Sequence, residues 1–358
     1  MYKNTLLYKD KLIKLLSSYL TYRSRIFFFL IKLYHYIYNL ILLLRILLII
    51  SSYSWVTIWI AIEINLLSLI TLIYSYKTAR TSEASIKYFI VQAIASLIFL
   101  ISIIIKLINI IFINYIYLIV SILIIKIRVA PLHFWFPEII EGRTWLCAGI
   151  LITFQKIRPI IIMSYLSINI NFIIYFSLLS IIIGGVQGLN QTRLRKILAF
   201  SSITHSGWII VSTQFSSLTW LIYIFFYTFT LISLLILLNK ININKINNFL
   251  LYYKNRLILF IFLINILIIS GIPPFIIFFP KWIIMQLLTS RNLLSIPLLI
   301  VISTLITTFI YLQTIFSIIL FNPLLTISYW KIKNINIYIS LCLIIIFILS
   351  IIISFPFF

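Results

Sequence analysis

The chain has 358 residues, of which 63% are hydrophobic and 9% charged, and its mean hydropathy is +1.21. Because soluble domains are about 45–50% apolar and about 25% charged, this composition excludes a water-soluble globule. Its 28 Lys and Arg residues outnumber 5 Asp and Glu, for a net charge of +23. These cations stand singly or in small groups between apolar runs, without a base-reading motif, so we expect them to face anionic lipid headgroups and not nucleic acid.

The first 34 residues form a basic segment. Residues 1–32 carry seven Lys and Arg and a single acid, Asp10. A mitochondrial targeting presequence has this basic, acid-poor composition, and so does a surface helix or an unstructured tail. We therefore treat residues 1–34 as an N-terminal extension and residues 35–358 as one membrane domain.

Residues 35–358 contain a close succession of apolar segments divided by short polar ones. A bilayer crossing takes about 20 apolar residues, and in hydrocarbon only a helix satisfies the backbone of such long, non-alternating segments. The sequence thus predicts an all-α polytopic membrane protein with about ten to twelve transmembrane helices. The predicted spans are His35–Ser52, Trp55–Tyr76, Ile86–Lys106, Ile108–Ile127, Thr144–Tyr165, Asn171–Leu189, Leu194–Thr213, Leu218–Asn239, Leu257–Gly271, Phe275–Leu288, Leu293–Phe321 and Ile335–Ser354.

Prolines interrupt this pattern in two places, and a lysine accompanies each of them. The first interruption contains Pro131 and Pro137 and follows Lys126. The second contains three prolines and ends at Lys281 (Pro273, Pro274 and Pro280). A proline-broken helix frees backbone groups that need protein or water around them. Broken helices in corresponding places of two halves of a chain indicate an ion path.

Glu63 lies near the middle of the predicted span Trp55–Tyr76. A charge at the centre of a helix costs about 2.5–3.5 kcal/mol on insertion scales, so such a residue normally faces the bundle interior and has a partner. We expect it to serve in a proton relay; the alternative is a hydrogen-bonded structural glutamate.

Three lysines are the candidate partners of Glu63. Lys126 follows 19 residues without charge, Lys281 follows 24, and Lys156 lies within a further apolar span. Burial brings the pKa of an amine toward neutrality and a nearby carboxylate opposes this change, which is the behaviour that a proton relay needs. For Lys126 and Lys281 the alternative is an ammonium that reaches a lipid headgroup.

Two histidines complete the set of ionisable candidates. A histidine exchanges its proton near physiological pH. His205 has hydroxyl neighbours in Ser201-Ser-Ile-Thr-His-Ser206 and is the better relay candidate, whereas a structural role for His133 is equally consistent with its sequence. There is no Walker loop, G-x-G-x-x-G motif, CxxC cluster or evident haem-type histidine pair, so we expect neither a redox or nucleotide cofactor nor a metal on this chain.

Several motifs between Ser52 and Trp282 resemble the antiporter-like membrane subunits of respiratory complex I, NADH:ubiquinone oxidoreductase, in their animal mitochondrial form. They are Glu63-Ile-Asn-Leu-Leu-Ser68, Ser82-Glu-Ala-Ser-Ile-Lys-Tyr88, Ala130-Pro-Leu-His-Phe-Trp-Phe-Pro137, Gln155-Lys156, Gly188-Leu-Asn-Gln191, Leu194-Arg-Lys196, Ser201-Ser-Ile-Thr-His-Ser-Gly-Trp208, Gly271-Ile-Pro-Pro274 and Pro280-Lys281-Trp282.

The resemblance implies inverted-repeat helix bundles in the mitochondrial inner membrane. It matches Glu63 to the family's channel glutamate and Lys126, Lys156 and Lys281 to its channel lysines. It further implies proton translocation coupled to quinone reduction elsewhere in the complex, other membrane-arm subunits as partners, and NADH, FMN, iron–sulfur clusters and ubiquinone on or between other subunits. Two alternatives remain: a free-standing cation/proton antiporter of the same family, and a structural assembly subunit.

The chain departs from the family pattern in its basic N-terminal extension and in a set of arginines. Arg45 stands mid-span among leucines, and four more arginines occupy positions where relatives carry small or uncharged residues (Arg128, Arg143, Arg158 and Arg193). An unpaired arginine near the centre of a span is costly and a serine is not. We hypothesise that the reading frame was translated with an unsuitable genetic code, giving Arg for Ser and Ile for Met, and was started too far upstream.

Overall fold

The computed structural model describes residues 44–320 except for 45–46, 53, 75–78, 109–114, 167, 242, 247–255, 274 and 292–294. The N-terminal extension 1–34, the predicted span Ile335–Ser354 and Arg45 lie outside the described residues. Those that are described form helices and, at Arg193 and Lys245, one isolated antiparallel bridge. The all-α prediction is confirmed.

Twelve helices follow one another from Trp55 to Leu320 in the described part of the chain. They are α1 (Trp55–Tyr74), α2 (Ala79–Ile108), α3 (Tyr115–Ile127), α4 (Trp135–Glu141), α5 (Trp145–Ile152), α6 (Phe154–Ser164), α7 (Ile170–Gly188), α8 (Leu194–Ser212), α9 (Ser217–Ile241), α10 (Arg256–Ser270), α11 (Phe278–Ser290) and α12 (Ser295–Leu320).

Many of these helices are long and apolar enough to cross a bilayer. Within the described ranges, four single helices and the combined segment Trp145–Ser164 satisfy both criteria, and shorter apolar helices include Tyr115–Ile127 and Leu259–Ser270. Large apolar side chains such as Leu107, Phe134 and Leu218 are exposed on the outside of the bundle, where lipid replaces water as the solvent. The chain is therefore an integral multi-pass membrane protein.

Helix α8 is the centre of the bundle, because nearly all of its side chains are buried. It packs along α7 and also contacts α4, α9 and α11. Small residues allow the close approach of α7: a Cβ atom added at Gly184 would lie 2.7 Å from the Thr204 methyl carbon. Membrane helices commonly pack through such small residues, since lipid tails offer no hydrophobic driving force.

Both predicted interruptions are present as breaks between helices. The first separates α3 from α4 at residues 128–134, and the second separates α10 from α11 at residues 271–277. Pro137 and Pro280 lie in the first turn of the helix that follows each break, where a missing N–H group costs no helical hydrogen bond. These two prolines therefore start helices, whereas the chain is broken upstream of them.

A third break was not predicted. The predicted span Thr144–Tyr165 is divided at Thr153, whose φ of −100° and ψ of −80° end α5 and begin α6. Pro159 lies inside α6 and has no N–H group to donate to the carbonyl of Gln155. The helix is thus weakened one turn after the break, and both features flank Lys156.

Candidate functional site

Each of the three candidate lysines lies within about one helical turn of a break. Lys126 is in the last turn of α3, Lys156 is the third residue of α6, and Lys281 is the fourth residue of α11. Their exposed fractions are 9%, 2% and 9%. All three side chains are therefore inside the bundle rather than extended toward a headgroup.

Glu63 and Lys126 form the first part of the site. Glu63 is partly buried in the middle of α1 and interacts electrostatically with Lys126 across the interior. Arg158 on α6 also acts on Lys126. Among the described residues, no basic nitrogen lies within 4.0 Å of the Glu63 carboxylate, so this pair acts through space and not through a direct salt bridge.

Lys156 is held in the centre of the bundle. Its ammonium group donates a hydrogen bond to the main-chain carbonyl of Ser202 on α8 and lies 5.4 Å from the centre of the Tyr227 ring. A carbonyl oxygen and an aromatic face both stabilise a cation without neutralising it. The break at Thr153 immediately precedes α6, and Lys156 is the residue of α6 whose side chain reaches α8.

His205 on α8 interacts electrostatically with both Lys156 and Lys281. It is 3% exposed, and its Nδ1 atom is 2.8 Å from the hydroxyl oxygen of Tyr223 on α9. The centre of its ring is 4.5 Å from that of Tyr227, the same ring that Lys156 faces. Lys156 and His205 thus both lie near the Tyr227 ring.

Lys281 lies against the second break. Its Nζ atom donates to the main-chain carbonyl of Ser270, the last residue of α10, at 2.9 Å, and is 5.9 Å from the centre of the Trp208 ring. Gly271 has a positive φ of 72°, and a Cβ atom added there would lie 2.5 Å from Lys281 Nζ. Glycine is thus required by both the backbone and the lysine.

The five predicted residues lie on α1, α3, α6, α8 and α11, and four of them are buried while Glu63 is partly buried. A cavity bordered by Lys126 is also lined by Gln155, the residue before Lys156. Sequence reasoning missed Tyr223, Tyr227 and Gln155. The two tyrosines belong to a set of 22 in the chain, so nothing in the sequence marks them.

Other ionisable candidates lie outside this set. Glu83 and Lys87 form an ion pair at 2.7 Å on the exposed start of α2, where Lys87 also contacts Glu138 at 2.8 Å. His133 is fully buried in the first break, with Nε2 2.7 Å from the amide oxygen of Gln187 on α7. These contacts connect helices to one another, and none of them involves Lys126, Lys156 or Lys281.

Three of the arginines that depart from the family pattern are buried. Arg128, Arg143 and Arg158 are 2%, 2% and 3% exposed. Arg128 donates to the carbonyl of Leu151 and Arg143 to that of Ala84, yet Nε of both side chains lacks a hydrogen-bond partner among the described residues. Arg193 differs, because it is 46% exposed and forms an ion pair with Glu141.

Most of the chain is similar to known membrane proteins. Residues 52–307 match the family described as NADH:quinone oxidoreductase/Mrp antiporter, TM. The relatives named NADH-ubiquinone oxidoreductase chain 2 include that of Anopheles gambiae, 39% identical over 311 residues (85% of this chain and 90% of the relative), and that of Aedes aegypti, 40% identical over 301 residues (81% and 87%).

Solved structures share the fold. A chain of respiratory complex I from Thermus thermophilus aligns with a TM-score of 0.76 at 18% identity, over 90% of this chain and 78% of the other. A chain of the Mrp complex from a Dietzia species aligns with a TM-score of 0.68 at 15% identity, over 78% and 59%. The chain therefore belongs to the NADH:quinone oxidoreductase/Mrp antiporter transmembrane family and, within it, to the relatives of NADH-ubiquinone oxidoreductase chain 2.

Proposed function

We propose that the chain is a proton-translocating membrane-arm subunit of NADH:ubiquinone oxidoreductase. The relay consists of Glu63, Lys126, Lys156, His205 and Lys281. The observation that carries this proposal is the burial of three lysines beside three helix breaks. Buried ionisable residues in membrane helices are expensive and mark ion and proton pathways, and broken helices supply the free carbonyls that hold the ammonium groups.

Each residue has a distinct role in the proposed relay. The Glu63 carboxylate stabilises positive charge on Lys126, and a change in their separation alters how firmly Lys126 holds its proton. Lys156 and His205 pass the proton through the centre. Lys281, held by the Ser270 carbonyl, exchanges it at the far side. Quinone reduction in another part of the complex drives the cycle.

The proposed function implies a membrane location and partner subunits for the chain. We place it in the mitochondrial inner membrane, against other membrane-arm subunits and anionic lipid, because the curated relatives are named as chains of that oxidoreductase and the net charge is +23. NADH, FMN, the iron–sulfur clusters and ubiquinone then belong to other parts of the complex, which supply the redox chemistry, while this chain moves protons.

The central test is Lys156→Met in the assembled complex. Methionine fills a similar volume without charge, so the complex should assemble and pump fewer protons per NADH oxidised when it is reconstituted in liposomes. Lys87→Met is the matched control, since Lys87 is exposed in the structure. A Lys156→Met complex with full proton stoichiometry would refute the central relay.

The fold shared with the Mrp complex favours a second candidate, a cation/proton antiporter that works without the redox subunits. It would use the same ionisable residues with an ion gradient as the driving force. Reconstitution of the purified chain alone separates the two functions. Proton movement in response to an imposed sodium or potassium gradient would support the antiporter and contradict the obligate subunit.

A further inference from the structure

Two side-chain amides connect α1 to α6 beside the relay. Asn65 Nδ2 donates to Gln155 Oε1 at 2.9 Å, and Gln155 Nε2 donates to Asn65 Oδ1 at 3.3 Å. Gln155 is 6% exposed. Asn65 is two residues from Glu63, and Gln155 precedes Lys156. The pair therefore joins the helix of the channel glutamate to the helix of the central lysine.

The amide pair borders a cavity with about 30 Å³ of space for water. A buried water needs roughly 10–15 Å³ and two to four polar partners, so the cavity has room for one or two waters. Its walls supply those partners from the two amides and from Tyr88, Gln92, Lys126, Arg128 and Arg158. An apolar cavity of this size would stay dry, whereas this one is built to hold water.

The cavity contacts one of two lysines that are consecutive in the proposed relay but not the other. Lys126 forms part of its wall, while Lys156 points away to the Ser202 carbonyl on α8. Gln155 lines the same cavity as Lys126 and is the residue before Lys156. An amide does not ionise near neutral pH and so cannot carry a proton itself, but it donates and accepts hydrogen bonds and thereby orients water.

We infer that Asn65 and Gln155 are positioning residues that orient the water through which Lys126 passes a proton to Lys156. In this step Lys126 Nζ loses a proton to the cavity water, the Lys156 side chain turns from the Ser202 carbonyl toward the cavity, and the water gives a different proton to Lys156 Nζ. Lys126 ends neutral and Lys156 charged, while the water and both amides are unchanged. This inference rests on the proposed function, because it assigns a role within the same relay.

The test uses complex that contains the Asn65→Leu or Gln155→Leu chain. Leucine keeps the approximate volume of either amide and removes its hydrogen bonds. We expect protons pumped per NADH to fall to the level of the Lys156→Met complex, a larger solvent deuterium isotope effect on pumping, and an unchanged KM for NADH. The exchange Asn65→Gln with Gln155→Asn retains both amides and should restore pumping.

Asn265→Leu is the matched control. Asn265 is 2% exposed and accepts a hydrogen bond from Ser233 at 2.6 Å, so it is also a buried amide that joins two helices, but it does not border the cavity. The control should lower the yield of complex and leave protons per NADH unchanged. If complexes with the Asn65→Leu or Gln155→Leu chain assemble poorly, Gln155→Met serves instead. Its flexible side chain has the same length and no hydrogen-bonding amide, so the same loss of protons pumped per NADH is expected.

The outcomes separate this inference from the function on which it rests. If Lys156→Met lowers pumping and the assembled Asn65 and Gln155 variants pump at the level of the unmodified complex, the positioning role is wrong and the relay stands. If Lys156→Met also leaves pumping unchanged, the proposed function fails. If Asn265→Leu lowers pumping as much as Gln155→Leu does, the positioning role is wrong and the amide pair is only a structural contact between helices.

Discussion

The Nδ1 atom of His205 lies 2.8 Å from the hydroxyl oxygen of Tyr223, and both residues are buried. The hydroxyl group fixes the orientation of the imidazole ring and determines which ring nitrogen faces Tyr223. The other nitrogen is then directed elsewhere in the interior. Because His205 interacts with Lys156 and Lys281, this hydrogen bond sets the orientation of the imidazole ring in the relay that we propose.

Tyr223→Phe should slow pumping without abolishing assembly. The change removes only the hydroxyl oxygen, and loss of one partner from a buried hydrogen bond costs about 1–3 kcal/mol. We expect a lower rate of vesicle acidification and a modestly lower midpoint of thermal inactivation. Tyr311→Phe is the control, since Tyr311 lines an apolar cavity with Leu234 and Phe262. Equal acidification rates in the two variants would contradict the role of Tyr223.

Glu63→Gln should lower the number of protons pumped per NADH while the yield of complex stays normal. Glutamine keeps the shape of the side chain and removes the charge that acts on Lys126. Glu83→Gln provides the comparison at an exposed position, and we expect no change there. A fall in yield with unchanged pumping would instead assign Glu63 a structural role and favour an assembly subunit.

Gly271→Ala should disturb the second break and Lys281 together. A left-handed backbone costs a residue with a Cβ atom about 1–2 kcal/mol, and this Cβ would lie 2.5 Å from Lys281 Nζ. We expect less complex and, in the fraction that assembles, slower pumping. Gly185→Ala is the control, because Gly185 lies inside helix α7 and the atom nearest to its added Cβ would be 3.2 Å away. Similar pumping in both would show that Lys281 tolerates displacement.

Peptide masses of the native protein should show serine at positions 128, 143 and 158. The structure adds a physical reason for this hypothesis: Nε of Arg128 and Nε and Nη1 of Arg143 are buried without a hydrogen-bond partner among the described residues, which is costly for a charged group. Arg195 serves as the internal control, because we expect arginine there. Arginine masses at 128 and 143 would end the hypothesis.

Serine at these positions would also change the water path. Arg128 and Arg158 both line the cavity between Lys126 and Gln155. A serine is much smaller than an arginine, so the same backbone would leave more space for water. Arg193 differs from the buried arginines. It is exposed and paired with Glu141, so its charge does not carry the cost of burial without a partner.

The sequence alone was sufficient for the fold class and for the identity of the relay candidates. Apolar runs of about 20 residues permit only helices in a bilayer, and an acid or amine in such a run is expensive enough to indicate function. Glu63, Lys126, Lys156 and Lys281 follow from that energetic cost. The two proline-containing breaks follow equally directly, because a proline removes a backbone donor.

Only the tertiary structure decided which of these residues meet. The break at Thr153, the turn of Lys156 toward the Ser202 carbonyl and the pairing of Asn65 with Gln155 all depend on contacts between helices far apart in sequence. Hydropathy and charge determine the free-energy cost of placing a residue in lipid. They do not determine which neighbouring helix its side chain contacts. The direction of a side chain is set by helix packing, which is why Tyr223 and Gln155 became visible only in three dimensions.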